Sequence, residues 1–363
     1  MSGRYHKTDP MSDVISDDYR MLQMISRFGI TLGFGDKTVN AACKTAGVDT
    51  ETFLTVVNFL TDTNHAHISE MVEHIDLPTM LAYLRNSHTY FIDYRLPGIR
   101  RKLIQAIDMR SQIAMLILKF YDEYVAEVTR HMEYENTHVH PYVEELLQGR
   151  LGKQRLTEIT SKHEGSHNSI DRSLSELKSI IIKYYPNDQN ATLLNDTLMD
   201  IYMVEEDFLN HCHMEDTLFA ECVRRLEREI EESGEWDDNS GEWRVEGGER
   251  NGDKNGDKNG VTFPEEEISS LHSPLSTLHK EDSPPSTLHK EGEGLLSDRE
   301  REVIRLVAMG LSNKEIAERM FIAVNTVMTH RRNISRKLDI HATAGLTIYA
   351  IVNGIINVED VKL

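Results

Sequence analysis

The 363-residue sequence has little of what a secreted or membrane-bound chain needs. No apolar run reaches the ~18–20 residues of a membrane-spanning helix. The opening stretch, MSGRYHKTDPMSDV, holds no apolar signal-peptide core. Cysteine is sparse: Cys43, Cys212 and Cys222 are the only three. An odd set without a CxxC pair excludes a disulfide framework and points to reduced thiols in the cytoplasm. An excess of positive charge is also missing, since the formal net charge is −20. That value excludes a chain that is basic throughout, but not a basic segment. From Leu295 to Leu363 there are ten Lys/Arg and eight Asp/Glu, a net +2, so the remainder carries −22. Only the segment that meets phosphate has to escape the acid. Hydrophobic residues make up 39% and charged residues 28%, enough for packed cores, and the length allows two or three domains. What the chain has in excess is histidine, with seventeen.

Four blocks follow along the chain. Residues 15–75 read as short helices, 79–231 as four long helices, 232–294 as low complexity and 295–363 as a helical tail. The third block contains NGDKNGDKNG and the tandem STLHKEDSPP and STLHKEGEG. Such composition cannot bury enough surface to offset its ordering entropy, so it is expected to be a disordered tether. His272, His279 and His289 belong to these repeats and are discounted as ligands.

The tail has strong helix punctuation. Ser297-Asp-Arg-Glu300 and Ser312-Asn-Lys-Glu315 are capping boxes, and Gly310 stops the first helix. A third helix is expected over Val324–Leu338, with Val327, Ile334 and Leu338 on its inner stripe. Its outer stripe is Asn325, Met328, Thr329, Arg332 and Arg336. These are polar groups that can reach base edges, with arginines for phosphate or guanine. Ala344–Ile356 forms a last apolar helix, read as a dimer surface. The run LSDREREVIRLVAMGLSNKEIAERMFIAVNTVMTHRRNISRKL resembles the LuxR/FixJ-type helix-turn-helix signature almost end to end. The resemblance covers about a fifth of the chain. It implies a four-helix DNA-binding domain that contacts duplex DNA through Lys314, Asn325, Thr326, Met328, Thr329, Arg331, Arg332 and Arg336. Two departures are visible. Ala323 replaces a capping Ser, costing ~1 kcal/mol at the helix start, and Met328 replaces a Lys that commonly contacts DNA.

The histidines follow a spacing rule. His131 and Glu135, His163 and His167, and His211 and Glu215 are each four residues apart, on one face of a helix. His88 lies on the first long helix. Polar turns near 109, 149–152 and 186–188 define an up-and-down bundle. Measured from those turns, the seven groups fall within ~2–6 Å of one level, at 1.5 Å rise per residue. Imidazole with carboxylate suits a pair of iron ions, with the carboxylates bridging. An oxo or hydroxo bridge then leaves one position open for a diatomic or a peroxide. Axial histidines could also hold haem, although the paired carboxylates favour non-haem iron. His138, His140 and His213 read as surface groups or as neighbours of the ligands. With SHTYFIDYRLPGIRRKL, HMEYENTHVHPYVEELL, SHNSIDRSLSELK and HCHMEDTLF around them, these residues resemble the hemerythrin family. The implied ligands are His88, His131, Glu135, His163, His167, His211 and Glu215. Asp216, one residue further on, is an alternative to Glu215. In the related iron–sulfur cluster repair di-iron proteins His167 alone represents the third helix.

ISRFGITLGFGDKTVNAACKTAGVDTETFLTVVNFL resembles the small N-terminal domain of those repair proteins. Gly33-Phe34 stand where adjacent cysteines are usual there, and a small helical interaction or packing domain is expected. The combined reading is an all-α, cytoplasmic, one-component regulator with no membrane association. A small helical domain precedes an up-and-down four-helix bundle and a LuxR-type four-helix domain. The expected partners are promoter DNA, a second copy of the chain, a small diatomic or peroxide ligand, and RNA polymerase. It is read as a regulator and not as an enzyme. The rival classes are a repair protein that donates iron or reduces a diatomic, and a haem-binding sensor. A tether of ~60 residues spans about 40–45 Å at random orientation and transmits no strain. Coupling therefore requires direct contact between bundle and tail, or control of dimerisation.

Overall fold

The computed structural model describes residues 4–61, 68–160, 166–185, 190–237, 242–244 and 296–361. Among the described residues the fold is all-α apart from one small sheet, as the helical periodicity predicts. Among the described residues, no helix is long and apolar enough to cross a membrane. The N-terminal unit comprises α1 (Met11–Asp17), α2 (Met21–Arg27), α3 (Val39–Ala46), α4 (Thr50–Thr61) and α5 (Ile68–Val72). It begins earlier than residue 15. Tyr5 exchanges two hydrogen bonds with the Asn58 side chain, at 2.9 and 3.1 Å, and is itself buried. Thr38 caps α3, and Gly47 ends it in the left-handed region at φ 71°.

The bundle follows. Its first leg is α6 (Leu77–Thr89), capped by the Asp76 carboxylate, and α7 (Leu96–Ala106). The second leg is α8 (Gln112–Tyr134) and α9 (His140–Leu147). After the short α10 (Leu156–Thr160), the third leg is α11 (Ser166–Tyr184). The fourth is α12 (Ala191–Met214) and α13 (Ala220–Ser233). Four long helices were expected. Instead the first, second and fourth legs each contain a π-helical segment, at Tyr90–Arg95, Glu135–Val139 and Glu215–Phe219. One apolar core, with Leu103, Tyr121, Leu177 and Ile201, fills the bundle. A second joins the N-terminal unit to the bundle end that carries Val139, Leu218 and Phe219.

The sheet corrects the expected start of the tether. Strand β1 (Arg150–Leu151) pairs with β3 (Glu242–Arg244), which pairs with β2 (Glu235–Asp237), all antiparallel. Polar composition hid this hairpin. Its anchors are Trp243, packed against the second core, and Gly234. A Cβ on Gly234 would lie 2.6 Å from the Ile230 carbonyl oxygen and 3.1 Å from that of Arg244, so only glycine lets the chain leave α13 here. Residues 238–241 and 245–294 of the expected tether lie outside the described residues.

The C-terminal domain is α14 (Asp298–Ala308), α15 (Asn313–Met320), α16 (Val324–Leu338) and α17 (Thr343–Val352). Both capping boxes form, and Ala323 gives α16 no side-chain cap. Helix α17 serves two cores. Leu346, Tyr349 and Ala350 pack within the domain, while Ala344 and Ile348 complete the core of the bundle.

The N-terminal unit is tied to the bundle by a buried ion pair. Arg27 of α2 meets Asp207 of α12 through two parallel bonds, the Nη1–Oδ1 one at 2.9 Å. Its guanidinium also lies 4.5 and 4.8 Å from the ring centroids of Tyr90 and Phe91. Removing one partner leaves the other charge buried and unpaired. Arg27→Met is expected to lower stability by about 3–5 kcal/mol, and adding Asp207→Leu to recover most of that loss in chemical denaturation.

Candidate metal centre and nucleic-acid face

The three π-helical segments occupy the level at which the sequence places its ligands. His88 lies in the last turn of α6, and Glu135 and Glu215 open the second and third segments. In each segment an i→i+5 hydrogen bond widens the turn: Leu96 to Phe91, His140 to Glu135, and Ala220 to Glu215.

Five of the seven expected residues converge. His88 Nε2 lies 3.4 Å from Glu135 Oε2 and 3.5 Å from Glu215 Oε1. His131 Nε2 lies 3.3 Å from Glu135 Oε1, and His211 Nε2 lies 3.2 Å from Glu215 Oε1. Donor atoms of His88, Glu135, His211 and Glu215 all fall within 4.8 Å of one another, and so do those of His131, Cys212 and Glu215. His88, His131, His211 and Glu215 are buried, and Glu135 is nearly so. Asp216 is exposed, so the geometry favours Glu215 over it. His163 lies outside the described residues, and of His167 only its place on α11 is described.

These residues fit a cation. His88 Nε2, Glu135 Oε2, Glu215 Oε2 and both ring nitrogens of His211 are buried without a hydrogen-bond partner. Each such atom costs about 1–3 kcal/mol unless something satisfies it. Burial, then the neighbouring Glu215 and Asp216 charges, push the Glu135 carboxyl well above its usual range. Burial opposes ionisation of Glu215 too, but His211 and His88 outweigh it and hold that carboxyl well below. Burial lowers His211, which keeps its imidazole neutral, the form a metal ion requires. Asn136 Oδ1 accepts a hydrogen bond from His88 Nδ1 at 2.9 Å, which leaves the Nε2 lone pair facing the carboxylates.

Sequence reading missed one neighbour, Asn136, and left His140 between a surface group and a neighbour of the ligands. On a regular α-helix His140 would face away from His131. The π turn brings it inside, where it is 1% exposed and stacks on His88 at 5.2 Å. Burial and then His88 lower it to about 3, so its ring is neutral. His138 and His213 are exposed and stack on Tyr134 and Phe59. A cavity of about 260 Å³, lined by Tyr19, Met24, Leu60, Tyr83 and Met203, lies between the N-terminal unit and α12 and reaches His211.

On the tail, Lys314, Asn325, Thr326, Met328, Thr329, Arg332 and Arg336 are exposed around α16. Arg331 differs. It is half-buried and donates to Asn313 Oδ1 at 3.0 Å and to Thr343 Oγ1 at 3.3 Å, joining the starts of α15 and α17. Phe321, 94% exposed in the left-handed region, adds an apolar edge with Val324 and Met328 that polar patterning did not flag.

Also unforeseen is Glu176 on α11. Its carboxylate accepts the backbone N–H of His341 at 2.9 Å and of Ala342 at 3.0 and 3.2 Å. Ala342 is the N-cap of α17 and has no capping side chain, so a bundle residue caps a helix of the tail. Gly345 permits the approach, because a Cβ there would overlap Glu176 and lie 2.9 Å from Ile180 and from Ile340.

Glu215→Ala is expected to cut the metal content of the purified chain by at least half, and Asp216→Ala to leave it unchanged. Elemental analysis of both variants measures this. Equal loss in the two would mean that Asp216 supplies the donor.

Comparison with known proteins agrees with both regions. The model of the hemerythrin HHE cation binding domain matches residues 79–223, and that of bacterial regulatory proteins of the luxR family matches residues 294–350. Transcriptional regulatory protein MctR of Rhizobium johnstonii is 48% identical over 67 residues, 18% of this chain and 31% of that protein. Oxygen regulatory protein NreC of Staphylococcus carnosus is 44% identical over 57 residues, 16% and 26% respectively. Transcriptional regulatory protein LiaR of Bacillus subtilis is 44% identical over 62 residues, 17% and 29%. The chain spans less than a third of the length of these relatives. No solved structure matches it. Residues 79–223 are a hemerythrin HHE domain and residues 294–350 a helix-turn-helix domain of the luxR family of bacterial regulatory proteins.

Proposed function

We propose that this chain is a one-component DNA-binding transcriptional regulator whose bundle holds a non-haem di-iron centre and senses a redox, gas or iron signal. The named ligands are His88, His131, Glu135, His211 and Glu215, with His163 and His167 as further donors. Iron there would supply reversible redox chemistry and an open position for a small ligand. The close packing of the donors, within 4.8 Å, supports a metal ion over a haem macrocycle. The cavity that reaches His211 supports access by a small ligand. The oxygen-regulatory relative matches only 57 residues, 16% of this chain, so its name says nothing about the signal read here.

One observation carries the sensor reading: the tail docks on the bundle. Helix α17 packs on α8 and α11, and α8 carries His131 at its far end. That contact meets the requirement set by the tether. The docked face, Ala344 and Ile348, belongs to the apolar helix read as a dimer surface, so docking and dimerisation compete for it. The signal changes the positions of α8 and α11, and their grip on α17 sets how many tails are free to pair on DNA.

Two outcomes are expected. Arg332→Ala weakens duplex binding by about 1–3 kcal/mol, whereas Arg331→Ala mainly lowers the stability of the tail. In wild type, affinity for a selected operator differs by about 1–3 kcal/mol between oxidised and reduced protein, and Glu176→Lys removes most of that difference. Titrations by fluorescence anisotropy at two salt concentrations measure both. Equal wild-type affinities in the two states, with iron confirmed present, would leave a metalloprotein joined to a DNA binder and no sensor.

A further inference from the structure

The ligand set read from spacing contains only imidazoles and carboxylates, but the second donor cluster contains a thiol. Cys212 lies with His131 and Glu215, all donor atoms within 4.8 Å of one another. Cys212 is buried and follows His211 directly on α12. One helical residue turns about 100°, and Glu215, three residues beyond Cys212 and four beyond His211, falls between the two in angle. Helix α12 can turn both side chains inward because it is buried over a wide arc, with Phe208, His211, Cys212 and Met214 all inside. Each then serves a different partner. His211 shares its cluster with His88, Cys212 shares its cluster with His131, and Glu215 belongs to both. The unpaired Glu215 Oε2 and Glu135 Oε2 are an independent sign that a cation belongs at this junction.

We propose that Cys212 Sγ is a metal ligand, binding the same cation as His131 and Glu215 and making the two metal positions chemically unequal. The proposal rests on the di-metal reading above. On ligation the thiol proton leaves to solvent as the sulfur–metal bond forms, and no electron is transferred. A thiolate selects softer cations than the nitrogen and oxygen donors of the other position. Neither Cys43 nor Cys222 belongs to a donor cluster among the described residues.

Cobalt(II) is the probe. The full-length chain is stripped with a chelator and titrated with cobalt(II) alone. Thiolate-bound cobalt absorbs strongly in the near ultraviolet, whereas nitrogen and oxygen donors give only weak visible bands. The wild type is expected to show both. Cys212→Ser and Cys212→Ala are expected to lose the ultraviolet band, keep visible bands and bind one cobalt about 10–100-fold more weakly. Cys43→Ser and Cys222→Ser should keep the full spectrum. Bound cobalt in the wild type without the ultraviolet band would overturn the thiolate ligand and leave the metal centre standing, as would a band that survives in both Cys212 variants. A wild-type chain that binds no cobalt would overturn both.

Discussion

Two glutamates and three histidines meet where the core of the bundle joins the core it shares with the N-terminal unit, and the rest of the structure serves that meeting. Burying an ion costs several kcal/mol unless partners repay it. Here Glu215 is held ionised by His211 and His88, while Glu135 is pushed toward its neutral form. The resulting cluster keeps unpaired atoms that the polypeptide does not satisfy. An interior of this kind persists when a cation completes it. The elements around it hold that arrangement in place: Asn136 orients His88, and the N-terminal unit covers this end of the bundle, tied down by Arg27.

The backbone pays attention to the same point in space. Three legs leave α-helical geometry within a residue or two of His88, Glu135 or Glu215. A five-residue turn is less favourable than a four-residue one, and such turns occur mostly at functional sites. The gain is angular. The wider turn moves His140 from the solvent side to a stack against His88 and lets Glu135 and Glu215 point into the gap between helices.

At the other end of the bundle a carboxylate does different work. Glu176 completes the hydrogen bonding of α17, whose first turn has no cap of its own, while Ala344 and Ile348 fill the bundle core. Contact of this kind transmits position, because packed side chains and a shared cap cannot shift independently. Helix α8 therefore joins the end that holds the histidine–glutamate cluster to an end that touches the luxR-family domain.

Much of this was legible in the amino-acid order, because it depends on local periodicity. Capping boxes at Ser297 and Ser312, the apolar stripe of α16 and the four-residue spacing of His131 with Glu135 and of His211 with Glu215 are all set within one or two turns of chain. Equal distances from the turns were enough to bring His88, His131 and His211 to one level. What lay beyond it was decided by contacts between distant segments. The choice of Glu215 over Asp216 depends on which side of α12 faces His88. The inward turn of His140 depends on a π segment that no spacing rule announces. The hairpin after Gly234 depends on Trp243 finding a core, and the cap on α17 on Glu176, 166 residues from Ala342. Local patterns determine which face of a helix is apolar. Only packing determines what that face meets, because the energy lies in burial shared between segments and not in either segment alone.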